Sequence, residues 1–129
     1  MTQTILEDAI HKQIGGYLRA NERKLKGCGL VYYTYSPAGE KRHIRTAVTL
    51  KTKGVQRGDP DYRLEFVKDD VQYTLYLEIK RSTRSKLTKE QQAFFEAKKN
   101  VKNVRCYIAY SVEDFANYLN KFIAQLKKN

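Results

Sequence analysis

Two carboxylates and a lysine stand at spacings suited to metal-assisted phosphate chemistry. They are Asp61, in Gly58-Asp59-Pro60-Asp61, and Glu78 and Lys80, in Leu77-Glu78-Ile79-Lys80-Arg81. Residues 71–80 alternate in polarity, so in a strand Thr74, Tyr76, Glu78 and Lys80 share one face and Tyr73, Leu75, Leu77 and Ile79 the other. In the preceding run Tyr62, Leu64 and Phe66 oppose Asp61, Arg63 and Glu65 in the same way. Pairings that keep like faces together set Asp61 against Glu78 directly, or against Tyr76 with Glu78 one diagonal step away. Directly opposed Cβ atoms lie about 4.5–5.5 Å apart and diagonal ones about 7–8 Å. Both distances let two carboxylates converge on one divalent cation, whose bonds to oxygen are about 2.0–2.1 Å for magnesium. Like charges held this close repel and need a cation between them, part of which Lys80 can supply. The rival reading is a solvated hairpin face carrying an ordinary Glu78–Lys80 neighbour pair.

Phosphates must be drawn to such a site, and basic residues flank it on both sides: Lys51, Lys53 and Arg57 before, Arg81, Arg84 and Lys86 after. The run 81–86 follows the second strand directly and reads as a phosphate-gripping loop. The formal net charge is +11, with 11 basic against 4 acidic residues in 81–129. A surface this basic, with ten tyrosines, points to a polyanionic partner, nucleic acid before anionic membrane. His43 lies beside Lys41-Arg42-x-x-Arg45, where it can meet phosphate; His11 reads as a surface helix residue.

The elements that must position these groups follow from periodicity. The pattern predicts a first helix over 4–24, with Leu6, Ile10, Ile14, Tyr17 and Leu18 on one stripe. Gly15-Gly16 falls inside it at about 1 kcal/mol per glycine relative to alanine, which predicts a kink or a close approach, and its apolar face is one place for a second copy to pack. A strand over Leu30–Tyr35 ends at Ser36-Pro37-Ala38-Gly39. Residues 43–53 fit either a helix or a strand. Strands follow over 60–67 and 71–80, separated by Lys68-Asp69-Asp70. A helix from Thr88 to Lys99 opens with a Thr88/Gln91 capping box, Val104–Ala109 is a short strand, and Ser111-x-x-Asp114 starts a last helix with Phe115, Leu119, Phe122, Ile123 and Leu126 on one face. The expected fold is α/β, one domain with a mixed sheet flanked by helices. No apolar run approaches the ~18 residues of a membrane span, and the N-terminus lacks the pattern of a secretory signal. Cys28 and Cys106 lack metal spacing. Reduced thiols and a cytoplasmic protein are expected.

Pro60-Asp61 followed by Glu78-Ile79-Lys80 resembles the PD-(D/E)xK nuclease superfamily. The longer strings YSPAGEKRHIRTAVTLKTKGVQRGDPDYRLEF, YLEIKRSTRSKLTKEQQAFF and VRCYIAYSVEDFANYL resemble the VRR-NUC (virus-type replication-repair nuclease) family over nearly the whole chain. The matches are Leu50-Lys51 and Gly54-Val55 ahead of Gly58-x-Pro60-Asp61, and Leu87-x-x-x-Gln91 after Glu78-x-Lys80. The resemblance implies a restriction-endonuclease-like core in the order αβαββαβα, with 43–53 a helix. It implies Mg²⁺ or Mn²⁺ held by Asp61, Glu78 and the Ile79 backbone carbonyl, with Lys80 positioning the attacking water and offsetting charge on the phosphate. Gln91 and, from the first helix, Glu7 match further site positions, although each also fits a capping box. Asp59 departs from the pattern, standing where an apolar or small residue is usual, and reads as a turn residue. The implied activity is phosphodiester hydrolysis in DNA, structured or branched; a chain this short, without a separate recognition domain, is expected to act as a homodimer with two sites. A non-catalytic nucleic-acid-binding module and an RNA-directed nuclease are the alternatives.

Overall fold

The computed structural model describes residues 3–36 and 58–128, and for residues 3–6 the backbone alone. Helix α1 spans Gln3–Ala20 and α2 Glu22–Gly27; strand β1 is Leu30–Tyr35, β2 Tyr62–Lys68 and β3 Val71–Ile79. Helix α3 is Lys89–Lys98, β4 Val104–Ala109 and α4 Val112–Lys128. The four strands form one mixed sheet in the order β1-β2-β3-β4, with β1-β2 and β2-β3 antiparallel and β3-β4 parallel. The predicted helix over 43–53 lies outside the described residues, as do His43, Lys51, Lys53 and Arg57.

The hairpin that carries the site is set by its turn. Lys68 pairs with Val71 across a two-residue loop, and both loop residues are left-handed, Asp69 at φ 52° and Asp70 at φ 64°. Aspartate tolerates that region, and a turn of this hand matches the twist of the two strands. From the turn outward the ladder runs to Tyr62↔Leu77 without a slip, so the next facing residues are Asp61 and Glu78. The Lys68 ammonium also donates to the Leu126 carbonyl, fastening the turn to the last helical turn of α4, where a cation complements the helix dipole.

The sheet's apolar face is covered by α1 and α4. Ile14 and Leu18 of α1 and Phe115 and Leu119 of α4 are fully buried with Leu64, Phe66, Leu75 and Leu77. Phe115 meets Tyr62 edge-on at 5.3 Å between ring centroids, and Phe122 meets Phe66 at 5.5 Å. Ile14 and Leu18 of the first helix's apolar stripe are therefore used inside the chain, while Ile10 and Tyr17 stay half-buried. On the opposite face lies α3, whose Phe94 meets Tyr76 edge-on at 5.0 Å.

The first helix differs from expectation at its C-terminal end: it is continuous through Gly15-Gly16 and breaks at Asn21. There the side-chain amide donates to the Tyr17 carbonyl at 2.8 Å, the same oxygen that accepts the Asn21 backbone N–H at 3.0 Å. An asparagine competing for its own i−4 acceptor offers the backbone an exit from the helix. Ser111 caps α4 as predicted, accepting from the Asp114 N–H at 3.1 Å, while the Asp114 carboxylate reaches one residue further back, to the Tyr110 N–H at 3.0 Å.

Candidate active site

Where β2 begins, the backbone ladder gives way to side chains. The Ile79 N–H donates to Asp61 Oδ2 at 2.7 Å. The Asp61 carbonyl accepts from the Ser36 N–H at 2.7 Å, at the end of β1. These bonds hold Asp61 and Glu78 face to face, with only 6% and 3% of their surfaces exposed. Asp59 Oδ2 accepts from the Ser36 hydroxyl at 3.0 Å, which ties the approach to Asp61 to the end of β1.

Gly58 explains why the loop arrives where it does. It adopts φ +83°, and a Cβ built on it would lie 2.5 Å from the backbone of Glu90. Only glycine permits both the left-handed backbone and this approach to α3. The same helix carries Gln91, so the loop bearing Asp61 and the helix bearing Gln91 are held together by one close contact.

Gln91 joins the cap of α3 to the site. Its Oε1 accepts from the Thr88 N–H at 2.8 Å and from Lys80 Nζ at 2.9 Å, while Nε2 donates to Glu78 Oε2 at 2.9 Å. The Thr88 hydroxyl accepts from the Gln91 N–H at 3.2 Å, completing the capping box. One amide thus closes a helix N-terminus and fixes the relative positions of a carboxylate and an ammonium. Lys80 Nζ lies 3.6 Å from Glu78 Oε2, its side chain only 13% exposed.

The electrostatics are those of two buried carboxylates whose one adjacent cation, Lys80, does not offset burial and mutual repulsion. Burial first, then the Asp61 carboxylate, push the Glu78 carboxyl up to about 8, against the pull of Lys80. Burial likewise raises Asp61, opposed by the Ile79 N–H, His11 and Lys80 and reinforced by Glu7. Glu7, half-buried on α1, is therefore within charge range of Asp61. A site with two buried oxygen-donor carboxylates and one lysine suits a hard divalent cation, which relieves their repulsion. Among the described residues no three His, Cys, Asp or Glu side chains gather as a ready cage. Further oxygens must come from backbone, water or a ligand, as is usual for magnesium.

Asp61, Glu78, Lys80 and Gln91 therefore come together, with Glu7 at charge range and Ile79 contributing its N–H. Arg81 is half-buried and Arg84 and Lys86 are exposed on the loop that leaves β3, with no ion pair to a carboxylate among the described residues. His11 corrects the sequence reading. It is half-buried rather than a plain surface residue, its Nδ1 lies 2.9 Å from the Tyr62 hydroxyl, and its ring is 5.0 Å from Tyr35. The signal was the Glu7-x-x-x-His11 spacing, which stacks both residues on one helical face.

No family model, curated protein or solved structure matches this chain.

Proposed function

We propose that this chain is a divalent-metal-dependent nuclease of the PD-(D/E)xK kind, VRR-NUC-like, hydrolysing phosphodiester bonds in DNA. The observation that carries the reading is the convergence of buried Asp61 and Glu78 with Lys80 at one end of a hairpin, all three anchored by hydrogen bonds. A binding module has no use for two carboxylates turned against the phosphates it must attract.

Asp61 and Glu78 would hold Mg²⁺ or Mn²⁺ with the Ile79 carbonyl, and Glu7 at longer range. The bound ion supplies Lewis acidity toward the scissile phosphate and a water of lowered pKa. Lys80, a compact charge with three donors, orients the attacking water and offsets charge growing on the phosphoryl oxygens. Gln91 keeps the Lys80 ammonium at its station through the bond to Oε1 and leaves the second Glu78 oxygen available. Arg81, Arg84 and Lys86 neutralise backbone phosphates beside the site, as Lys51, Lys53 and Arg57 would from the other side of the sequence motif. Branched or junction DNA is the substrate class in this reading. A homodimer would present two such sites to two strands, with sedimentation at micromolar concentration expected to give twice the 15.1 kDa chain mass.

Supercoiled plasmid and a four-way junction, incubated with Mg²⁺, Mn²⁺ or EDTA, test the proposal with wild type and Lys80→Ala side by side. Metal-dependent cutting that drops about 10²-fold or more in the variant, with DNA binding retained, is the expected result. Binding without cutting in either metal leaves the non-catalytic module, and cutting of RNA alone leaves an RNA-directed enzyme.

A further inference from the structure

Gly15-Gly16 and His11 both lie outside the metal-assisted chemistry, and Gly15 and His11 line one cleft. It opens between α1 and β1, has a volume of about 630 Å³, and is walled by Asp8, His11, Lys12, Gly15 and Arg19 on one side and Tyr33 and Tyr35 on the other. That volume falls within the ~300–1,000 Å³ range of small-ligand sites.

The inner end abuts the candidate active site. His11 and Tyr62 close it, Ser36, next after Tyr35, donates its N–H to the Asp61 carbonyl at 2.7 Å, and the charge of His11 reaches the Asp61 carboxylate. The outer end carries Arg19, whose guanidinium lies across Gly15: a Cβ on that glycine would stand 3.3 Å from Nη1. Lys12 is paired with Asp8 at 3.1 Å, whereas Arg19 has no carboxylate partner among the described residues. Between the two ends, Tyr35 and His11 present tilted aromatic faces 5.0 Å apart at their centroids. The cleft thus runs from a carboxylate site, past aromatic rings, to an uncompensated cation.

We infer that this cleft takes an unpaired stretch of the nucleic-acid strand leaving the cleavage site, with bases against Tyr33, Tyr35 and His11 and a phosphate on Arg19. The assignment rests on the nuclease reading above. Aromatic faces beside a cation are the elements that bind single strands without sequence preference. From His11 to Arg19 the helix rises about 12 Å, room for about three phosphates at a stacked strand's ~3.4 Å spacing. A blunt duplex has no unpaired bases to enter the cleft, so the site selects tailed or branched substrates. The glycine that weakens α1 keeps this floor open.

Fluorescence anisotropy on the full chain in EDTA, at one fixed salt concentration, tests the cleft with a short blunt duplex and the same duplex bearing an oligothymidine tail. Wild type is expected to bind the tailed duplex about tenfold more tightly, the contribution of one or so stacked bases. Arg19→Ala removes the phosphate contact. Gly15→Leu fills the floor without altering charge and raises helix propensity, its Cβ pushing aside only the flexible end of Arg19. Both are expected to bring the affinity ratio close to one, while Lys102→Ala, which removes an exposed cation outside the cleft, keeps it near tenfold. A wild type without tail preference, or a preference that survives both variants, overturns the assignment. If such a wild type still cuts DNA in a Lys80-dependent way, only the cleft reading falls. A wild type that binds neither duplex and cuts neither plasmid nor junction with Mg²⁺ or Mn²⁺ overturns the nuclease reading and this one with it.

Discussion

Glu78→Gln should stabilise the metal-free protein at neutral and alkaline pH, and by an amount the site's geometry sets. Glu78 holds its proton to about 8 in the fold, against an ordinary value of 4.5. Below the lower value both folded and unfolded chains carry the proton, and this group adds no pH dependence. Between the two the unfolded chain releases a proton that the folded chain keeps, so stability falls by ~1.4 kcal/mol per pH unit; above the upper value it levels off. Over the interval from 4.5 to about 8 the ceiling is about 5 kcal/mol. Asp61 is raised in the same direction, and the two acids titrate as a pair, so the expected loss between pH ~5.5 and ~8.5 is about 2–4 kcal/mol. Glutamine keeps the side chain's shape and can accept the Gln91 Nε2 hydrogen bond through its carbonyl, with no charge to repel Asp61. Urea unfolding in EDTA across that range is the assay. At a slope of ~1.5 kcal/mol per molar urea, the wild-type midpoint should fall by ~2 M from the acid to the alkaline end, and that of Glu78→Gln by much less. A wild type equally stable at both ends, or a variant that falls as steeply, would refute the account of the pair as buried charge only partly offset by Lys80.

Because the pair retains a proton near neutrality and a bound cation requires both carboxylates ionised, Mg²⁺ or Mn²⁺ binding should release about one proton at pH ~7. Calorimetry in two buffers of different ionisation enthalpy reads this directly, and an apparent binding enthalpy independent of buffer would contradict it. Gln91→Ala and Thr88→Ala each disrupt the cap of α3 and should each lower stability by about 1 kcal/mol. Only Gln91→Ala also unties Lys80 from Glu78, so cleavage should drop well below that of Thr88→Ala. Equal activities would reduce Gln91 to a capping residue. Gly58→Ala drives a Cβ to 2.5 Å from the Glu90 backbone at φ +83°, and should lower stability by about 2 kcal/mol or more, with loss of metal affinity as Asp61 is displaced. A variant with the wild-type melting temperature would show that the loop need not touch α3.

What is legible in the sequence is whatever short-range periodicity and turn chemistry dictate. Alternation in 62–66 and 73–79 assigns faces, and a turn through Asp69 and Asp70 leaves a register in which Asp61 and Glu78 meet. The direct pairing, one of two that the pattern allowed, is the one adopted. The α4 stripe is equally plain because its five apolar residues lie at helical spacing, and all five are buried. The break at Asn21 is hidden because the periodicity runs through it, and only the local competition of one amide for the Tyr17 carbonyl reveals it. His11 is half-legible: its spacing from Glu7 puts both on one helical face, but its partners Tyr35 and Tyr62 lie on strands distant in sequence, which that spacing does not name. Gln91 sits between these cases: its spacing from Thr88 signals a cap, while its contacts with Lys80 and Glu78 depend on where α3 lands. That placement depends in turn on Gly58, whose only visible sign is a glycine three residues before Asp61. The site is therefore assembled by two kinds of information. Strand alternation brings the carboxylates together, and a single close backbone approach brings the helix that orders them. A substitution that spares every charged residue can still dismantle the chemistry by filling the space at Gly58.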